Sequence, residues 1–257
     1  MTGQSPARVA ALYRYPVKGL TPERLASATL RPGETFPSDR AWAIENGPGN
    51  FDPEAPKHLP KIHFLMLMRN ERLATLATNY DDESATLTIS RAGRQVARGQ
   101  LTTSIGRSMI EQFMAAYMKD QLRGAPRVVS APGHSFSDVA AKCVHIVNLA
   151  SLRELERAMG RQLDPLRFRP NIVVDGVPAW AEFDWIEKSI VIGPVHLSAF
   201  KRTQRCAATN VDPATGARDA DVPAALQRRW GHTDFGIYAH VDSAGEVREG
   251  DDIALAY

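Results

Sequence analysis

Short apolar runs, each cut off by proline or glycine, dominate this chain and fix what it can fold into. Residues 8–15 set the pattern. Val9, Ala11, Tyr13 and Tyr15 share one face at period two, and Pro16 ends the ladder. Residues 24–30 and 41–45 read as further strands, divided by Arg31-Pro32-Gly33 and Pro37-Ser38-Asp39. Residues 47–60 hold two glycines and four prolines and read as loop. Residues 63–68 and 85–90 are strand-like. Helical spacing is first clear at 108–118, where Met109, Ile110, Phe113, Met114 and Tyr117 recur and Ser108 with Glu111 forms a capping box.

After Gly124-Ala125-Pro126 a second unit begins. Residues 144–147 and 171–174 read as buried strands. Between them Ser151 and Glu154 form a second capping box, followed by Leu152, Leu155 and Met159 and closed by Gly160. Residues 188–200 read as a hairpin with Gly193-Pro194 at its tip. Asp221 caps a short helix that ends at Gly231, and strands near 237–241 and 252–256 finish the chain. So many strands at short spacing, with few helices, predict a mainly β, α+β protein built from barrels rather than a doubly wound parallel sheet. At about 150 residues per domain, 257 residues divide into a β-barrel-like domain at 1–122 and a second β-barrel domain at 123–257.

Composition removes several classes of function. Thirty-one basic against 29 acidic side chains leave a formal charge of +2, too weak for a nucleic-acid or membrane-surface protein. Two cysteines, Cys143 and Cys206, exclude a disulfide scaffold, a Cys-based zinc finger and a Cys-ligated iron–sulfur cluster. Residues 1–8 are polar and lack the apolar core of a secretory leader, and the longest apolar run, 64–68, is far too short to span a bilayer. No phosphate loop, H-E-x-x-H or G-x-S-x-G motif occurs, and none of the seven histidines has zinc-site spacing. A cytoplasmic location, with no membrane and no nucleic acid among its partners, is the expectation.

The most informative stretch is Lys201-Arg202-Thr203-Gln204-Arg205-Cys206-Ala207-Ala208-Thr209-Asn210-Val211-Asp212-Pro213. Three cationic side chains lie within five residues of Cys206. Neighbouring positive charge favours a thiolate, and a thiolate is both nucleophile and metal ligand. Asp212-Pro213 then pre-sets a turn. A small packed core residue is the competing reading for Cys206. For Cys143, between Lys142 and the apolar run 144–147, packing is the stronger reading. Arg167-Phe168-Arg169-Pro170-Asn171, Tyr15-Pro16-Val17-Lys18-Gly19 and Asp39-Arg40 are further basic clusters at strand ends. Singly each is a solvated charge; together with Cys206 they describe an electropositive cleft able to hold a phosphate.

These residues resemble a known family. Arg205-Cys206, Thr209, Val211-Asp212-Pro213 and Thr215-Gly216 are similar to the R-C-x-x-T-x-V-D-P-x-T-G signature of MOSC domains, named from molybdenum cofactor sulfurase. Residues 168–174 resemble the F-R-P-N-I-V element of that domain, and residues 180–185 and 235–238 also fit. Residues 15–19 with Asp39-Arg40-Ala41-Trp42 look like the N-terminal β-barrel domain that accompanies it. The arrangement is similar to the mitochondrial amidoxime-reducing components and their bacterial relatives, molybdenum enzymes that reduce N-hydroxylated compounds.

The resemblance implies a molybdenum–molybdopterin cofactor. Cys206 would be metal ligand and catalytic residue, and Lys18, Arg40, Arg169, Asn171, Arg205 and Tyr238 would hold the pterin and its phosphate. The family also has a generic association with pyridoxal phosphate binding. Gly19 stands where the family often has serine, which leaves a backbone N–H for that phosphate contact. The chain lacks the cysteines of the ferredoxin domain that some relatives append, so a separate electron donor is implied: cytochrome b5-like, ferredoxin-like or a flavin reductase. The substrate would be a small molecule.

Three functions are compatible with these residues. The first is a molybdenum oxidoreductase, with Asp212 and Glu182 as candidate proton sources that also have structural readings. The second is a sulfur carrier with a persulfide on Cys206. The third is a two-barrel binding protein in which Cys206 only packs, which leaves the clustered cations unexplained.

Overall fold

The structure is a computed structural model that describes residues 7–256; Tyr257 and most of the polar segment 1–8 lie outside them. Its strands, in chain order, are β1 (Arg8–Arg14), β2 (Glu23–Leu25), β3 (Ser27–Leu30), β4 (Ala43–Asn46), β5 (Ala77–Asp81), β6 (Thr86–Arg91), β7 (Arg94–Gln100), β8 (Pro126–Val129), β9 (Val144–Asn148), β10 (Ile172–Asp175), β11 (Ser189–Ile192), β12 (Val195–Gln204), β13 (Asp234–Val241), β14 (Gly245–Arg248) and β15 (Ile253–Ala256). Its helices are α1 (Ser104–Tyr117), α2 (Leu149–Met159) and α3 (Val222–Trp230). The mainly β expectation holds. Among the described residues no helix is long and apolar enough to cross a membrane.

The largest sheet runs β15-β11-β12-β13-β9-β10-β1-β2. Among the described strands of this sheet, only β9 and β10 pair in parallel, joined by the crossover helix α2. The ladder stays open, although residues 250–253 bond back to the start of β1 through Val9 N to Asp251 O (2.8 Å) and Ile253 N to Ala7 O (2.9 Å). The first two strands belong to this sheet, where β1 pairs with β10 and β2, while β3 pairs with β14 in a separate two-stranded sheet. Residues 8–30 thus hydrogen-bond mostly to strands of the second half of the chain. The first half's own sheets are the meander β5-β6-β7 and the pair β4-β8.

Two apolar cores follow this division. One lies within the large sheet, built on Leu12, Ile146, Ile172, Ile190, Leu197 and Ile237. The other packs α1, through Ile110 and Met114, against Leu87 and Ile89 of β6 and against Leu65 and Leu73. A third cluster seats α2 and α3 around the stacked rings of Phe168 and Phe235, 4.0 Å apart.

Several local expectations are corrected. The run 24–30 breaks at Ala26, and its halves join different sheets. Residues 63–68 form no strand. Lys61–His63 is a 3-10 turn, and Asn70 folds the segment back by accepting from Met66 N (3.1 Å) and donating to Met66 O (2.8 Å). Burial of Phe64, Leu65 and Met66 explains that apolar run, whose pairing with β4 is one isolated bridge, Phe64 to Glu45. Helix α1 begins a turn early, with Thr103 accepting from Gly106 N (3.0 Å), while Glu111 accepts from Val128 N (2.8 Å). Asn148, not Ser151, caps α2 by accepting from Ala150 N (2.9 Å). Gly160 and Gly231 end α2 and α3 in left-handed conformation as expected. Asp221 sits at the N-cap of α3 without a side-chain cap bond.

Candidate functional site

Strand β12 ends at Gln204, and the chain turns sharply at Cys206. Thr209 closes this turn, donating to the Cys206 carbonyl from its backbone N (3.0 Å) and its hydroxyl (2.9 Å). Asp212 Oδ1 then accepts from Ala214 N (3.0 Å) and Thr215 N (2.8 Å), the turn expected for Asp-Pro. Arg167, fully buried, clamps this loop from behind. It donates to Asp212 (2.9 Å), to Asp219 (2.8 Å) and to Asn210 O (3.3 Å). Arg167 is therefore engaged in holding the loop. Arg218 ties the same loop to the first half of the chain through Met68 O (2.8 Å) and Glu71 (3.0 Å).

Cys206 is half-buried and opens into a cleft of about 400 Å³. Lys18, Arg40, Arg169, Asn171, Arg205 and Tyr238 all line the same cleft. Eight lysines and arginines line it against two aspartates. Sequence neighbours account for only part of this charge; the fold brings in the rest.

The cations at the base of the cleft have their own supports. Lys18 Nζ donates to Phe136 O (2.8 Å) and Asp138 (2.5 Å). Its burial lowers the ammonium's pKa, against the pull of Asp138. Asp138 in turn is bridged by Lys61 (3.0 Å). Burial opposes its charge, but Lys18 and Lys61 outweigh it and hold the carboxyl far below the usual range. Arg40 pairs with Asp39, which also accepts from Tyr15 N (2.9 Å). Arg169 donates to Leu20 O (2.8 Å), and burial together with Arg40 brings its guanidinium down to about 10, still protonated at neutral pH.

Arg205 donates to Phe168 O (2.6 Å) and lies 3.4 Å from His145 Nε2. His145 Nδ1 faces the Arg169 carbonyl at 3.2 Å. A carbonyl only accepts, so Nδ1 carries the hydrogen and Nε2 accepts from Arg205. Burial and Arg205 keep this ring neutral, with its pKa well below the ordinary value. Asn171 uses its carboxamide within the sheet, accepting from His145 N (3.0 Å) and donating to Tyr13 O (3.2 Å). Burial raises the Tyr238 hydroxyl.

Three arginine donors at the cleft, Arg167 Nε, Arg169 Nη2 and Arg205 Nε, are buried without a hydrogen-bond partner, as is Tyr15 Oη behind them. Buried cationic donors left in this state fit an anionic guest. The soft sulfur of Cys206 fits a thiophilic metal. Cys143 also borders the cleft but is buried, and burial pushes its thiol up to about 12, as suits a packing residue. Glu182 is remote from this chemistry: it is buried and accepts from Asn148 (2.8 Å) and Ser151 (2.7 Å).

Sequence reasoning missed Lys61, Asp138 and His145. Lys61 Nζ donates to Cys206 Sγ at 3.4 Å across 145 positions of chain, and no local pattern marks such a pair. Among the described residues, no group of three or more His, Cys, Asp or Glu side chains is placed to hold a metal ion.

Comparisons with known proteins agree with this architecture. Residues 6–126 match the MOSC N-terminal beta barrel domain and residues 131–254 the MOSC domain. Mitochondrial amidoxime-reducing component 1 of Mus musculus is 25% identical over 98% of this chain and 83% of its own length. The Homo sapiens protein of that name is 26% identical over 98% and 84%. Mitochondrial amidoxime reducing component 2 of Rattus norvegicus is 32% identical over 43% of this chain and 36% of its own length. Among solved structures, the YUAD protein from Bacillus subtilis covers 98% of this chain and 97% of its own at 14% identity, with a TM-score of 0.47. With two adjoining domain matches that together run almost its full length, this chain belongs to the MOSC family, in the form that carries the MOSC N-terminal β-barrel domain.

Proposed function

We propose that the cleft holds a molybdenum–molybdopterin cofactor through Cys206, and that the protein is an oxidoreductase for small N-hydroxylated molecules. The observation that carries this reading is the convergence of a half-exposed cysteine with eight cationic side chains, three of them bearing unpartnered buried donors. The names of the relatives support the reaction class.

Arg40, Arg169 and Arg205 bind the phosphate end. Lys18 has two of its three ammonium hydrogens engaged and offers the third. Asn171 positions rather than binds, since its carboxamide fixes the ends of β1 and β9. Arg167 and Asp212 hold the Cys206 loop in shape, and Tyr238 forms part of the wall. When bound, the cofactor would supply the two-electron redox chemistry. Reduction of an amidoxime to an amidine and water consumes two electrons and two protons, and a separate donor protein delivers the electrons.

The test is elemental analysis of protein purified from molybdenum-replete cells. Stoichiometric molybdenum that is lost in Cys206→Ala, with benzamidoxime reduction by an artificial donor, is the expected result. A metal-free protein that gains sulfane sulfur on Cys206 from a cysteine desulfurase would overturn it in favour of a sulfur carrier. A metallated protein inactive on benzamidoxime would remove the reaction class and leave the cofactor.

A further inference from the structure

We infer that Lys61 is a positioning residue for the Cys206 sulfur: an ammonium held in place by Asp138, whose hydrogen bond sets how electron-rich that sulfur is as a ligand. The inference rests on the molybdenum reading above. Its geometric basis is a three-part chain. Lys61 Nζ donates to Cys206 Sγ (3.4 Å) and to Asp138 Oδ2 (3.0 Å), while Asp138 Oδ1 is fixed from the other side by Lys18 (2.5 Å).

Pairing with Asp138 alone does not account for this placement. Lys18, much the more buried of the two lysines, already neutralises that carboxylate at close range. The Lys61 side chain is 28% exposed, and a free lysine there gains hydration and rotamer freedom by turning outward. Its backbone is pinned to the first half of the chain instead. Phe64 N donates to Lys61 O (3.1 Å), Phe64 bridges to Glu45 of β4, and Arg123 donates to Ile62 O. The Pro-rich loop ends at Pro60, so the ammonium is delivered to the sulfur from a fixed origin.

A cation hydrogen-bonded to a ligating sulfur draws electron density from it and favours the electron-rich, reduced state of the metal. Lys61 comes from the first half of the chain and Cys206 from the second. Docking of the two halves then sets the electronic character of the site as well as its shape.

The test compares the midpoint potential of the bound metal in wild type, Lys61→Met and Lys61→Arg, each with its molybdenum content measured. Lys61→Met is expected to keep its metal and shift the reduced-to-oxidised ratio at least tenfold toward oxidised, about 59 mV lower for a one-electron couple. Lys61→Arg is expected to stay within threefold of wild type. A fully metallated Lys61→Met with an unmoved potential overturns the inference and leaves the cofactor reading standing. A Lys61→Met protein that binds no molybdenum also overturns it, because the residue then serves loading. A wild-type protein without molybdenum removes the cofactor reading and this inference with it.

Discussion

Arg40 donates a hydrogen bond to the backbone carbonyl of Arg169 at 3.3 Å, and both residues hold left-handed backbone, φ 51° and 52°. Their guanidinium carbons lie 4.4 and 4.1 Å from the ring centroid of the buried Tyr15. Two like charges on strained backbone are costly, and such strain persists where a site needs it. Replacing Arg169 by Gln removes one charge-assisted donor, worth about 1.5–3 kcal/mol, so cofactor affinity should fall roughly 10- to 150-fold. The metal-free protein should change little in stability, by about 1 kcal/mol or roughly 2–4 °C in Tm. Molybdenum content against Tm is the measurement. A variant that loads like wild type would contradict the anion-binding role.

Arg167, two residues earlier, should behave in the opposite way. Its side chain is 1% exposed and joins Asp212, Asp219 and Asn210 O. Removing the buried partner of such a network leaves carboxylates unpaired. A full loss costs about 3–5 kcal/mol, and partial exposure of both aspartates reduces this to about 2–3 kcal/mol. Urea unfolding of Arg167→Ala should show that loss, and amide exchange should speed up across residues 207–219. Unchanged exchange there would mean that the loop holds itself.

Residues 201–213 and 167–171 carried much of the site in the sequence because their chemistry is local: charges beside a cysteine and a turn after it. Arg167 and Arg169 look equivalent on that scale. Only the fold separates them, by pairing Arg167 with two carboxylates and Arg169 with the backbone carbonyl of Leu20. Lys61 and Asp138 were invisible for the same reason, since their meaning lies in partners over a hundred positions away. Strand β7, Arg-Gln-Val-Ala-Arg-Gly-Gln, has almost no buried side chain and so lacks the alternation that reveals β5-β6-β7. The two capping boxes do not form because Glu111 and Ser151 serve tertiary partners, Val128 N and Glu182, instead of their own helices.

His145 should give the protein a pH dependence on the acid side of neutrality. Its ring faces Arg205, the Arg169 carbonyl and, at 5.3 Å between centroids, Tyr238, with Arg40 near enough to oppose a proton. Burial and Arg205 lower its folded pKa well below the unfolded value of about 6.5. Below about pH 6.5 the unfolded chain therefore binds the extra proton, and stability falls with falling pH. Buried Glu182, with a raised pKa, works in the opposite sense at lower pH. Between pH 7.5 and 5.5, Tm should fall more steeply in wild type than in His145→Gln, whatever their absolute values. Parallel slopes would assign the pH dependence to other groups.

The sharpest packing constraint lies far from the cleft, where α1 folds back on β7. A Cβ on Gly99 would stand 2.1 Å from Gly106 O, and one on Gly106 would stand 2.1 Å from Gln100 O. Both obstacles are backbone, so neither site can relax by turning a side chain. In an unconstrained helix, glycine to alanine at position 106 would gain about 1 kcal/mol of propensity. Here overpacking should reverse the sign, and Gly106→Ala should lose about 2–3 kcal/mol. Met109→Ala, on the same helix but 51% exposed, should stay within about 0.5 kcal/mol. Denaturant midpoints of the pair decide the matter. Equal midpoints would mean that α1 can lift from the meander at little cost, and the close approach of the two glycines would then contribute nothing to the stability of the first unit.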